Sequence, residues 1–491
     1  MVGHLTDAGN VLPDLVVVLV VWKKMRPLPL VRFNALAGYA RVPMTTAFSE
    51  EMAWFEHGSE RVLGIVVRER TDNDFTGIVM ARDQRGRFRA VELLTSFEPT
   101  QRRAEVLLRR EMERLAMAPD EEYHQGDEKG PPLDFFTPRT ERARLHPTFR
   151  ALTEAEAFSA ARGIIEPMMH WYEDPDGNFI EQFQTTGFDA RLWELYLFAV
   201  FAEMSYFIER IHAVPDFVCR GLLGTFAVEA MTVNPTQDST GAPVALPPRK
   251  TPEELAAFAS QYMPIKFGST LTSKLAKRYW ERPSAKGKPL VFAIQDFSGP
   301  ASMVFTQSAL SPYLYGYNYE WHHDSAGRLV VTPKKIATHR WGSKEIPSGF
   351  FDLPDAENVS AVLFSNSGTI SKFNRIGLLA GFGSKRLVLK RVGTAYNHNP
   401  DSVEPVAFDQ IVGAPDYRET WGEGLNVYHN PRAIHPLDPA MLPEAAHHRL
   451  RDGLMASVTP AWHPFGSITH MLVADSEEEA RRLILRGAPL P

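Results

Sequence analysis

The stretch VPDFVCRGLLGTFAVEAMTVN, residues 214–234, decides how the centre of this chain is read. Two runs with strand character, 213–219 and 225–233, flank Gly221-Leu222-Leu223-Gly224, a four-residue hairpin turn with a glycine at each end. That turn pairs Arg220 with Thr225, and counting outward sets Asp216 opposite Glu229. Directly opposed residues share one face of a sheet, with Cβ atoms about 5 Å apart. Two carboxylates facing each other repel, so the pairing is costly unless something neutralises it. A divalent cation with oxygen ligands does so well. The dipeptide Pro215-Asp216 carries weight only through this setting, because Pro-Asp recurs along the chain. Cys219 falls on the opposite strand face and reads as packed core rather than a catalytic thiol.

Upstream, a long helix is expected over 189–210. Residues 192–202 read LWELYLFAVFA, apolar except for Glu194, so this helix is buried most of the way round. A buried carboxylate without a partner is expensive, so Glu194 is protonated, paired with an arginine such as Arg191 or Arg278, or bound to a metal. Glu203 lies about 180° around the same helix and is expected on its solvated side. Downstream, residues 269–281 form a helix with Ser269 as its N-cap. Leu271, Leu275 and Tyr279 make its core stripe. Lys274 lies about 60° from Leu271, at the stripe's edge, where it reaches toward the sheet. Lys277 points further into solvent, and it and Lys266 stand in reserve. A strand, PLVFAIQDF, follows at 289–297.

Helix-Glu, strand-Asp after a proline, strand-Glu, helix, strand: over roughly 185–300 this order resembles the PD-(D/E)XK restriction-endonuclease-like superfamily. The resemblance implies an α/β fold with an αβββαβ-type core, a central mixed β-sheet flanked by helices. It also implies Mg²⁺- or Mn²⁺-dependent cleavage of phosphodiester bonds. On it, Asp216 corresponds to the motif aspartate, Glu229 to the acidic residue of E-x-K, and Glu194 to the helix glutamate of some branches. These carboxylates would hold the metal directly or through water. The motif lysine is replaced by Met231. Either catalysis is lost, or the lysine comes from the following helix, as in some branches, with Lys274 the expected residue. Lys277, Arg278, Arg282, Lys286 and Lys288, interleaved with Tyr279 and Trp280, would receive a nucleic-acid backbone, with DNA the expected substrate. Defence against foreign DNA or DNA repair extrapolates from what the superfamily does.

The rest of the chain sets the frame. With 491 residues, two or three domains are expected. Hydrophobic residues at 44% and charged residues at 23% are the balance of a folded protein. A net charge of −6 excludes a globally basic nucleic-acid coat, though not a local patch. The single cysteine excludes an intrachain disulfide and an all-cysteine metal site, and suits a reducing cytoplasm. The apolar run at 11–22 contains Asp14 and falls short of the ~20 residues that span a membrane, so no membrane partner is expected. Residues 1–27 are assigned no function, and the true start can lie near Leu28 or Met44. Residues 28–117 read as an αβ meander domain: three β-rich runs over 61–97, then a helix over 100–117. Residues 118–149 read as a solvated linker, 150–300 as the nuclease-like domain, and 301–491 as a C-terminal α+β region without an assigned role. A homo-oligomer is compatible with all of this.

The histidines, among them His322, His323, His429, His447, His448 and His463, lack zinc-site spacing and read as structural loop residues. The glycines of 377–383 lack the order of a phosphate loop. Two other readings stay open. One is a nuclease fold kept for binding without catalysis, which Met231 permits. The other is an assembly component with no metal.

Overall fold

The computed structural model describes residues 24–486, apart from 175–176, 211–213, 243, 301 and 305. The apolar run at 11–22 lies outside the described residues. The molecule is mixed α/β, built on an eight-stranded mixed sheet whose spatial order follows the chain. β1 (Phe207–Glu209), β2 (Phe217–Gly221) and β3 (Gly224–Val233) are antiparallel neighbours. β4 (Leu290–Asp296) joins β3 in parallel, and β5 (Ala361–Ser365) joins β4 in parallel. β6 (Leu425–His429), β7 (Ala446–Arg451) and β8 (Leu454–Val458) complete the sheet.

Helices cover both faces of the inner strands, so those strands are apolar on both sides rather than alternating. Val291 and Ala293 of β4 pack with α1 (Ser159–Trp171) and α2 (Phe188–Glu203), and with α4 (Ile370–Leu379). Leu290, Phe292 and Ile294 face the other way, toward Phe267, Leu271 and Leu275 of α3 (Met263–Leu275). The Trp193 indole N–H donates to the Ala293 carbonyl at 3.1 Å and fixes α2 across the sheet.

Several expected boundaries move. α2 ends at Glu203 rather than 210, because Ser205 turns the chain at φ 60° and β1 follows. The helix over 269–281 begins at Met263, with a proline in its first turn. Ser269 is therefore not an N-cap; its hydroxyl donates to the Ile265 carbonyl one turn back at 2.7 Å. The expected division at 300/301 cuts between β4 and β5, which are hydrogen-bonded neighbours, so the central sheet draws half its strands from the C-terminal region.

Residues 26–93 form a five-stranded antiparallel meander. The helix Gln101–Ala116 packs on one face through Ala104, Leu108, Met112 and Leu115. The helix Leu30–Ala37 packs on the other through Phe33 and Leu36. The segment 118–149 is mostly irregular but is not a free tether. Tyr123 is bonded to the Leu115 carbonyl at 2.6 Å, and Phe135 is buried against Phe179 and Phe183. The histidines differ from the loop expectation as well. His429 lies on β6 and His447 and His448 on β7, all buried and hydrogen-bonded, His429 to His447 at 2.9 Å.

Candidate active site

The hairpin is tighter than a four-residue loop. Gly221 pairs with Gly224 and only Leu222-Leu223 make the turn, while Arg220 still pairs with Thr225. Strand pairing begins at Phe217, opposite Val228, so Asp216 stands just before β2 and level with Glu229. The Ala230 N–H donates to the Asp216 carboxylate at 2.7 Å, which holds Asp216 against β3. Burial pushes the Asp216 carboxyl well above the usual carboxylate range, and the charges of Glu229 and then Glu194 add to it. The Ala230 N–H and Lys274 pull it partly back.

Glu229 faces α3, like its strand neighbours Ala227 and Met231. Lys274 comes down from the last turn of α3, and its ammonium sits 2.5 Å from the Glu229 Oε1. The Glu229 side chain is 6% exposed and that of Lys274 23%, so the pair sits at the rim of the interior. Met231, at the position of the motif lysine, is buried in the core beside α3. The Tyr279 ring lies against this pair, 5.7 Å from the Lys274 ammonium. Burial and then the Glu229 carboxylate push its hydroxyl far above its ordinary value.

Glu194 belongs to a different cluster. Arg191 donates to its Oε1 at 2.7 Å, the Tyr172 hydroxyl to its Oε2 at 2.7 Å, and Arg210 to the same oxygen at 3.5 Å. Both oxygens are spent on donors and two guanidiniums surround them, so Glu194 does not join a three-carboxylate metal set. Among the described residues, no three His, Cys, Asp or Glu side chains converge closely enough to hold an ion. Asp216 and Glu229 remain. Two opposed carboxylates could, once both are ionised, serve a cation of the Mg²⁺ type. That ion keeps several waters and takes only one or two protein carboxylates, with substrate phosphates filling the rest.

Of the other lysines, Lys266 bonds the Asn234 carbonyl at 2.8 Å and the Thr236 hydroxyl at 2.9 Å, and Lys277 is exposed. The basic segment after α3 runs beside the site, since the Ser284 hydroxyl donates to the Val214 carbonyl at 3.1 Å. Within it, Arg282 and Lys286 are exposed, and Lys288 bonds the Ser284 carbonyl at 2.9 Å. Arg278 is paired with Glu281 and Asp355, at 2.7 and 3.1 Å, and does not touch Glu194. Sequence reasoning missed Arg210 and Tyr172. The signal was indirect: a buried glutamate demands donors, and helical spacing pointed to Arg191 but to neither of these two.

No helix among the described residues is long and apolar enough to cross a membrane. No known family, curated protein or solved structure matches this chain.

Proposed function

We propose that the chain is a divalent-metal-dependent phosphodiester hydrolase acting on nucleic acid, with DNA the first substrate to test. One observation carries the reading: Lys274, from a helix far along the chain, closes on Glu229 where Glu229 stands level with Asp216. The element order α2, β1, β2, β3, α3, β4 supports a restriction-endonuclease-like core, with the lysine supplied by α3 in place of Met231.

Asp216 and Glu229 would hold Mg²⁺ or Mn²⁺, which when bound polarises a phosphoryl oxygen and acidifies its water. Lys274 pairs with Glu229 and orients it, and its ammonium would meet the charge that builds up on the phosphoryl group. Arg282 and Lys286, exposed on the segment that Ser284 ties to Val214, would receive the backbone, joined by Lys277 and Lys288 as salt-dependent contacts. Arg278 is already paired and adds less.

The test is incubation of the purified chain with plasmid and single-stranded DNA in Mg²⁺ and in Mn²⁺. Wild type cuts. Asp216→Ala, Glu229→Ala and Lys274→Met each lower the rate at least about a hundredfold. A wild type that binds plasmid or single-stranded DNA yet cuts neither would favour the non-catalytic reading that the buried Met231 allows.

A further inference from the structure

A cavity of about 500 Å³ lies where the helix Leu30–Ala37 of the N-terminal region meets α1, α2 and α4. That volume falls within the range of small-molecule sites. Leu30, Val31, Ile164, Ala199, Ile376 and Trp421 give it a largely apolar wall. Four charged side chains also face it: Arg41, Glu203, Arg418 and Glu419. Three of them are accounted for. Arg41 holds Glu51 at 2.6 and 2.7 Å and the Asn34 side-chain oxygen at 2.7 Å. Glu419 is spent on Lys372 and Arg375, at 3.0 and 2.7 Å. Arg418 is exposed and donates to the Pro415 and Tyr417 carbonyls, at 2.8 and 2.7 Å.

Glu203 is not accounted for. It is half-buried on the cavity wall, and its Oε2 accepts the Gly422 N–H at 3.0 Å. Among the described residues no cation pairs with it, and the nearest one to lower its pKa, Lys372, is committed to Glu419. A second carboxylate worsens its position. The Glu444 Oε2 accepts the Thr420 hydroxyl at 2.9 Å and lies 2.7 Å from where a Cβ on Gly422 would stand. Both carboxylates therefore close on the same glycine. Burial, then Glu444, pushes Glu203 up to about 7. Glu203 is also the last residue of α2, at the negative end of the helix dipole, where a cation is favoured and a carboxylate is not. A charge withdrawn from water is paired as a rule. Here an apolar cavity of ligand size opens on a carboxylate that the chain leaves without a counter-ion.

We propose that this cavity binds a small organic amine, its ammonium paired with Glu203 and its apolar body packed against Ile164, Ile376 and Trp421. The inference goes beyond the hydrolytic reading and does not depend on it. An acid would meet the charges of Glu203 and Glu444, and a neutral ligand would leave Glu203 buried deeper and still unpaired. A bare divalent ion finds no set of three ligands among the described residues, whereas an ammonium needs a single carboxylate. Tyr39 faces the same cavity, close enough that the Glu203 charge adds to the burial that raises its hydroxyl. The N-terminal region thus supplies one wall of the site and α2 the charge.

The experiment is calorimetric titration of hexylamine and phenethylamine into the full chain at pH 8, without divalent metal or DNA. Hexanol and phenylethanol are the neutral counterparts. At least one amine is expected to bind saturably with Kd below about 1 mM, and the alcohol of the same body about tenfold or more weaker. Glu203→Gln keeps the shape of the wall and removes its charge; it weakens the amine about tenfold or more while the chain still melts cooperatively. Glu444→Gln, one residue further from the ammonium, weakens it by about threefold. Failure of both amines to saturate, equal binding of the alcohol, or full amine binding by Glu203→Gln overturns the inference. None of these readouts involves cleavage, so their failure leaves the hydrolytic reading standing, and a chain that binds the amine but never cuts loses only the hydrolytic reading.

Discussion

Burial, then Glu229 and Glu194, push the Asp216 carboxyl well above the usual carboxylate range, and this has a thermodynamic signature. A carboxyl whose pKa rises on folding contributes stability that is fully present below its unfolded value and lost as pH climbs through the folded value. At neutral pH the wild type carries that loss. Asp216→Asn removes the charge while keeping an oxygen for the Ala230 N–H, so it raises Tm at pH 7–8 by about 1–4 °C. The gain vanishes near pH 4. If the pair holds the ion as proposed, Mn²⁺ raises the Tm of wild type but not of the variant. A variant no more stable than wild type at pH 8 would show that Asp216 is not strained. Glu203 follows the same sign. It lines a cavity of about 500 Å³ rather than the solvated face expected for it, and burial, then Glu444, pushes it up to about 7. Its contribution is therefore lost between about pH 4.5 and 7. Glu203→Gln raises Tm by about 1–2 °C at pH 8 and leaves it unchanged at pH 4.5. Equal melting at both pH values would place Glu203 in water after all.

At the scale of elements, the hairpin was legible because its information is local. Two glycines and a short turn fix the register, and pairing Arg220 with Thr225 is enough to bring Asp216 level with Glu229. Reading the turn as four residues or two leaves that register intact. The start of α3 was not legible, because Ser269 looks like a cap in isolation while the continuation back to Met263 depends on burying Phe267 against β5. The hairpin also contains its own weak point. A Cβ at Gly221 would come 2.4 Å from Cε1 of Tyr206. That ring cannot swing away, since its hydroxyl bonds the Met441 carbonyl at 2.6 Å and its face meets the edge of Phe226 at 5.1 Å. Gly221→Ala therefore displaces β2 against β1, costs on the order of 1–3 kcal/mol, and, on the proposed hydrolytic reading, lowers cleavage with stability because Asp216 stands at the start of β2. Thermal melts and plasmid assays at low temperature read both effects, and unchanged values in both would mean the strand yields freely.

At the scale of the molecule, the site depends on residues that no local pattern connects to it. β5 is visible in the sequence as an apolar run, but nothing there reveals that it pairs with β4, because that contact joins distant segments through a sheet buried on both faces. The apparent boundary at 300/301 is a change of composition that the fold ignores. α2, which carries Glu194, packs against Trp421, Leu425 and Val427 as well as against the hairpin. A chain ending at residue 300 would keep Asp216, Glu229 and Lys274, yet it would leave β4 as an exposed edge. Every residue of β4 from Leu290 to Asp296 is buried in the whole molecule. A long apolar edge strand pairs with whatever it meets. Residues 1–300 expressed alone are therefore expected in the insoluble fraction, and co-expression with residues 301–491 is expected to restore soluble material that co-purifies. A soluble, cooperatively melting 1–300 fragment would mean that the four strands it contains stand by themselves and that the C-terminal strands are an addition to them.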